Sequence, residues 1–237
     1  MRRPQLVSAT PHRGKLYPGV MTTLEGAVVL VAGASGGLGS RISSQLEAAG
    51  ATVVRASRST GSDFRTSAAA EEAVSGVLAQ HGRLDGLVVA TGVVAFGAAS
   101  ELEPATLEEL FAVNTIGPVL LITASAKHLA ASAKEGREPF VITLSGVVSE
   151  MPMAGLAAYS ASKAGLAGFV VAASREYRRV GVRLVDARPG HTATQLSEHP
   201  IAGSAPKFGQ ALDPDRVAER ILKAIVDGEK DLPSTEF

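Results

Sequence analysis

The feature that most constrains this chain is Ala27–Ala32, six apolar residues in a row (AVVLVA), which end directly in the glycine-rich stretch Gly33-Ala34-Ser35-Gly36-Gly37-Leu38-Gly39. A strand with no polar side needs cover on both faces, and parallel sheets obtain it from crossover helices. The rest of the chain repeats that logic. Thr52–Ala56, Leu87–Ala90, Phe140–Leu144 and Val182–Ala187 read as further short strands. Helices are predicted over Arg41–Ala49, Ser67–Gln80, Pro104–Ala131 (bent at Pro118), Leu156–Arg179 and Asp213–Asp227. Strands alternating with helices mean an α/β fold: one doubly wound parallel sheet of Rossmann type.

Composition fits one such domain. The chain has 237 residues, 46% of them hydrophobic, which is ample for a core. Its formal charge is zero, so no basic excess points to nucleic acid or an anionic membrane. With no cysteine and five histidines out of metal-binding register, disulfides, thiolate zinc and cysteine nucleophiles are excluded and no metal is expected. Residues 1–20 are rich in Pro, Gly and Arg and lack apolar periodicity. They read as a flexible extension, or as sequence upstream of an alternative start at Met21, with the domain spanning 21–237. Arg2-Arg3 is followed by no apolar segment, so a twin-arginine signal is rejected and a cytoplasmic protein is expected.

Two constellations carry chemistry. Glycines in the turn after the first strand let backbone approach a pyrophosphate, and the following helix offers free N–H groups and partial positive charge. The candidate contacts are Gly33, Ser35, Gly36, Gly37, Leu38 and Gly39. At the end of the second strand, an acid would bind the ribose hydroxyls of NAD. Here stand Ser57-Arg58-Ser59, hydroxyls and a guanidinium suited to a phosphate dianion, so NADP is expected rather than NAD. The plainer reading leaves Arg58 a solvated loop residue. The second constellation is Tyr159 and Lys163, four residues and about one helical turn apart. A phenol titrates near ~10, and a cation within reach favours the phenolate. The pair is one way to build a general acid/base.

With the glycine turn, Asn114 and Tyr159-x-x-x-Lys163 in that order, residues 24–228 resemble the short-chain dehydrogenase/reductase family. The resemblance implies a nicotinamide cofactor and a small carbonyl or alcohol substrate. It implies that Tyr159 exchanges a proton with the substrate oxygen, that Lys163 binds the nicotinamide ribose, and that Asn114 helps hold a relay water. Asp63-Phe64 is similar to the pair that holds adenine, and the loop Pro189, Gly190, His191, Thr192, Ala193, Thr194 to the one that contacts the nicotinamide. It implies a homodimer or homotetramer built on the two long helices.

Four departures stand out. The family serine lies 13 residues before the tyrosine, where this chain has Gly146. Ser145 is adjacent and serves only if the backbone turns at Gly146; otherwise its hydroxyl caps the strand end. Ser149 is 10 residues before the tyrosine. The Asn-Asn-Ala-Gly run reads Val89-Ala90-Thr91-Gly92, which keeps backbone approach at Ala90 and Gly92 without amide side chains. The region between strands 2 and 3 is shortened, since Asp63 follows closely on Arg58. The last strand is truncated, with Pro233 interrupting it. The expectation is therefore an NADP-preferring oxidoreductase with Tyr159, Lys163, Asn114 and Ser145 at its centre. The alternative is a nucleotide-binding regulatory or structural protein on a reductase scaffold with impaired catalysis. Val93, Val94, Phe96, Met151, Met153, Leu196 and Phe208 are expected to rim an apolar substrate pocket. His191 is read as a polar loop residue that could overhang it.

Overall fold

The computed structural model describes residues 21–237; the stretch 1–20 lies outside the described residues. The element order is β1 (Val28–Ala32), α1 (Gly37–Ala48), β2 (Thr52–Ala56), α2 (Ser67–His81), β3 (Gly86–Val89), α3 (Pro104–Phe111), α4 (Gly117–Lys134), β4 (Phe140–Leu144), α5 (Ala157–Arg178), β5 (Arg183–Ala187) and α6 (Pro214–Val226). Among the described residues the strands form one sheet in the order β2-β1-β3-β4-β5, every pair parallel.

The alternation within β1 explains its wholly apolar sequence. Val28, Leu30 and Ala32 face one core with α2, α4 and α5, which contribute Val74, Leu121, Leu129, Leu166 and Val170. Val29 and Val31 face the other, with Ile42 and Leu46 of α1 and Val217, Ile221 and Ile225 of α6. The doubly wound expectation therefore holds. Helix boundaries follow local chemistry. Thr66 caps α2 by accepting from the Ala69 N–H, and Gly82 closes it at φ 74°. Asp213 caps α6 ahead of Pro214.

Both expected truncations are present. After β2 the chain makes only a short 3₁₀ turn, Arg58–Thr60, before reaching Asp63. β2 is thus a sheet edge with exposed or half-buried residues from Thr52 to Arg55. Arg55, paired with Glu47, blunts that edge with charge. At the opposite edge the final strand shrinks to a single bridge between Ala187 and Leu232.

The long helix is interrupted differently from the expectation. Between α3 and α4, Ala112–Ile116 form one π turn, so the deviation begins six residues before Pro118. Pro118 is still its natural companion: it has no N–H for the carbonyl of Asn114, its i−4 partner in a regular α-helix. By length and apolarity the continuous stretch Pro104–Lys134 could cross a bilayer. Its large apolar side chains Leu110, Leu121, Ile122 and Leu129 are instead buried in the two-layer core and its rim.

Candidate active site

α1 begins at Gly37, four residues earlier than expected, so the second half of the glycine turn is already its first helical turn. Gly36 brings no side chain to cap it, and the helix start keeps N–H groups for a ligand. Three positions of the turn have no room for a Cβ. Gly33 sits at φ 81°, and a Cβ there would lie 2.7 Å from the carbonyl of Ala90. A Cβ on Gly39 would lie 2.1 Å from the carbonyl oxygen of Gly33. One on Gly37 would meet Thr194 at 2.6 Å, so the loop after β5 rests directly on the turn.

From this turn a cleft runs along the strand ends, lined by Gly33, Ser35, Gly36, Ser57, Arg58, Ser62, Asp63, Phe64, Ala90, Thr91 and Gly92. At its outer end Ser57 is buried and its hydroxyl lies 2.8 Å from that of Ser59. The Ser57 N–H donates to the Thr60 hydroxyl, which fixes the turn, while Arg58 stands exposed. Asp63 is held by Arg65, which also bonds Glu109 at 2.8 Å, so its carboxylate stays below the usual range. Phe64 is buried beside it.

At the inner end the structure brings Lys163, Asn114 and Gly92 together. A Cβ on Gly92 would lie 3.4 Å from both Lys163 Nζ and Asn114 Oδ1. Asn114 is wholly buried and its side chain is fully engaged. It accepts from the Val93 N–H at 2.9 Å, and donates to the Val93 carbonyl at 2.9 Å and the Ser162 hydroxyl at 3.0 Å. It therefore clamps the chain after β3 to α5. Lys163 donates to the Leu144 carbonyl at 2.8 Å and its Nζ lies 6.0 Å from the centre of the Tyr159 ring.

The expected tuning of the phenol is not what this geometry gives. Burial pushes Tyr159 up to about 12. Burial also lowers Lys163 to about 8, against the opposing pull of Asp186. At 6.0 Å and directed at Leu144, the ammonium does too little to offset the loss of water around the phenol.

The polariser position is resolved in an unexpected way. The backbone does turn at Gly146, at φ 73° and ψ 168°, so Ser145 reaches the strand end as required. Its hydroxyl, however, donates to the buried carboxylate of Asp186 and lies 2.9 Å from the Ser149 hydroxyl. Asp186 escaped the sequence reading. Its only signal was a single carboxylate in the otherwise apolar run Leu184-Val185-Asp186-Ala187. Ser162, which anchors Asn114, was also missed inside Tyr-Ser-Ala-Ser-Lys.

Substrate-side residues divide. Tyr159 packs with Val94, Phe96, Val148, Leu156 and Phe208, and with Val93 and Ala95. Phe208 stacks on His191 at 4.2 Å and meets Phe96 at 6.0 Å, so His191 belongs to an aromatic wall, and burial lowers its pKa. Met151, Met153 and Leu196 are exposed. The loop bearing Pro189, Gly190, Thr192 and Thr194 is strapped to Leu212 through Ala193 and His191. Thr192 donates to the Gly190 carbonyl at 3.0 Å. Among the described residues no group of His, Asp or Glu could hold a metal.

Known proteins place this architecture. The family model described as short chain dehydrogenase matches residues 58–202. An uncharacterized oxidoreductase of Methylorubrum extorquens is 32% identical over 213 residues, 80% of this chain and 83% of that one. The cyclic-di-GMP-binding biofilm dispersal mediator protein of Escherichia coli is 31% identical over 75% of this chain and 78% of its own length. Among solved structures, a short-chain dehydrogenase from Streptomyces avermitilis superposes with TM-score 0.75 at 26% identity, covering 88% of each chain. The 3-ketoacyl-(acyl-carrier-protein) reductase of Brucella melitensis shares the fold at TM-score 0.81 and 24% identity, over 89% of this chain and 97% of that one. By the family match and by relatives above 30% identity across most of its length, the chain belongs to the short-chain dehydrogenase/reductase family.

Proposed function

We propose that the protein is an oxidoreductase that moves hydride between NADP(H) and the carbonyl or alcohol carbon of a small substrate. One observation carries this reading: the cleft that starts at the glycine turn runs to Gly92, beside Lys163, whose Nζ stands 6.0 Å from the centre of the Tyr159 ring. The residues fit such a cofactor. Thr91 Oγ1 is a buried, unpartnered polar atom in the cleft wall. Ser35, Gly36, Gly37, Leu38 and the start of α1 would take the pyrophosphate. Ser57, Arg58 and Ser59 would take a ribose phosphate, Asp63 and Phe64 the adenine, Ala90 and Gly92 the ribose side. Pro189, Gly190, Thr192 and Thr194 would flank the nicotinamide.

When bound, the nicotinamide supplies or accepts the hydride. This chain's residues hold the proton. Tyr159 donates its phenolic proton to the substrate oxygen in reduction and takes it back in oxidation. Lys163, buried and cationic at pH 7, would hold the ribose hydroxyls on the same helix face as the phenol. The Asn114 carbonyl, freed by Pro118, would accept from a water that relays the proton outward. Val94, Phe96 and Phe208 keep bulk water from the reacting oxygen. The test is NADPH against NADH consumption over a panel of aldehydes and ketones. NADPH-preferring turnover supports the reading; turnover with NADH alone refutes the cofactor assignment.

The reading places the protein in the cytoplasm as a homodimer or homotetramer. Its small-residue helix splits in role. Gly165 faces Thr115 within the subunit, whereas Gly168 has open space, near exposed Val171. A monomer by light scattering at micromolar concentration would refute the assembly. A second reading, a nucleotide-binding regulator, is favoured by one observation: the Ser145 hydroxyl is turned onto Asp186. A relative named for binding a cyclic dinucleotide is compatible with it.

A further inference from the structure

Asp186 lies on β5 opposite Thr143 of β4, on the sheet face covered by α4 and α5, and is almost wholly buried. Its carboxyl group takes two hydrogen bonds from side chains. Thr143 donates to Oδ1 at 2.6 Å and Ser145 donates to Oδ2. Counting protons makes this arrangement consequential. Ser149 spends its hydroxyl proton on the Gly146 carbonyl at 2.7 Å. Ser145 has one proton, and in this geometry it goes to Asp186. An ionised carboxylate only accepts. While Asp186 is ionised, Ser145 has no proton for a substrate carbonyl. A protonated Asp186 donates instead, and the Ser145 proton is released.

We propose that Asp186 is a positioning residue for this site, whose carboxyl group decides whether the Ser145 hydroxyl is turned into the sheet or offered to the substrate oxygen. This rests on the reading of Tyr159 and Lys163 given above and deepens it. The charged groups around Asp186 are few. Lys163 acts on it from α5 and Arg188 Nη1 stands 3.8 Å away at the end of β5. Arg188 is itself held by Glu150, after β4, and by Asp231 at 2.5 Å. From α5 the phenol of Tyr159 is neutral at pH 7. Burial raises the Asp186 pKa, while Ser145, Thr143, Arg188 and Lys163 work against it.

Two measurements on the full chain test this. Infrared difference spectra from about pH 4 to pH 8 follow the carboxylic-acid band in wild type, Asp186→Asn and Ser145→Ala, with no substrate needed. The expected result is a band titrating above the ordinary carboxylate range, absent from Asp186→Asn. In Ser145→Ala it moves to higher pH, because the donor that favours the ionised form is gone. A wild type without that band, or an unmoved midpoint in Ser145→Ala, overturns the proposal. The second measurement is NADPH oxidation with 4-nitrobenzaldehyde and ethyl acetoacetate across the same range. An asparagine amide donates to Ser145 at every pH. The ratio of Asp186→Asn to wild-type kcat should therefore rise about tenfold from the acid to the alkaline end, with KM for NADPH unmoved. Asp186→Ala also removes the acceptor, so its ratio should rise in the same direction, whereas a merely structural role would leave both ratios flat with pH. A flat ratio beside an inactive Tyr159→Phe overturns the Asp186 proposal alone. Full activity in Tyr159→Phe overturns the underlying reading instead.

Discussion

The two ends of the cleft are built by opposite means. The nucleotide end is made of backbone: Gly33, Gly37 and Gly39 exclude side chains by contacts of 2.1–2.7 Å, and α1 presents its uncapped start. The reacting end is made of the half-buried Tyr159 and of buried polar side chains held by one another and by nearby main chain: Lys163, Ser145, Asp186 and Asn114. The first kind of site is fixed by volume and has one state. The second is fixed by hydrogen-bond partners and can change state when a ligand or a proton arrives.

Substitutions separate the two. The largest effect is expected at the nucleotide end. Gly39→Ala places a Cβ against the Gly33 carbonyl, so NADPH affinity should fall by at least about a hundredfold and stability by about 1–3 kcal/mol. Fluorescence titration and thermal unfolding read both; unchanged affinity would remove the contrast. At the reacting end, Ser145→Ala should lower kcat by about tenfold to a thousandfold with NADPH binding intact. A silent Ser145→Ala together with a more active Gly146→Ser would instead mean that the native site lacks its polariser.

Arg58→Ala tests the outer rim. Losing a charge-assisted phosphate contact should weaken NADP by about 1.5–3 kcal/mol and leave NAD nearly unchanged. Equal losses for both cofactors would return Arg58 to the solvent. The smallest effect is a pH dependence of stability. Lys163 falls from 10.5 to about 8 on folding. Between those values the unfolded chain binds the proton and the folded chain does not, so stability rises with pH. Tyr159 has the opposite sign between 10.0 and about 12. Lys163→Met should remove a rise of at least about 2–4 °C in Tm between pH 8 and 10. An identical slope in the variant would assign it elsewhere.

The same division governs what could be read from the sequence. The apolar run of β1 and the glycine turn follow from local sterics and periodicity, the short connection from Arg58 to Asp63 and the residual bridge at Leu232 from comparison with the family pattern, and all were legible. Helix starts were less so, because glycines at 37 and 39 conceal the first turn of α1. The π turn at Ala112–Ile116 was expected as a kink at Pro118, since its register depends on packing against α5. The pairing of Ser145 with Asp186 joins strands 41 residues apart in sequence. No local pattern reports such a contact, and the fate of a hydroxyl proton depends on it. The direction of the Tyr159 shift failed for a related reason: spacing gives proximity, but burial and the competing Leu144 carbonyl decide the charge.

The most direct test of the central claim is Tyr159→Phe, which removes one oxygen from a residue packed on both sides. NADPH binding by fluorescence and carbonyl reduction by absorbance should be measured on the same preparation. The account predicts NADPH affinity within about twofold of wild type and turnover lower by about 10²–10⁴-fold, the usual contribution of a positioned acid/base. Full turnover on a substrate that the wild type reduces would contradict it.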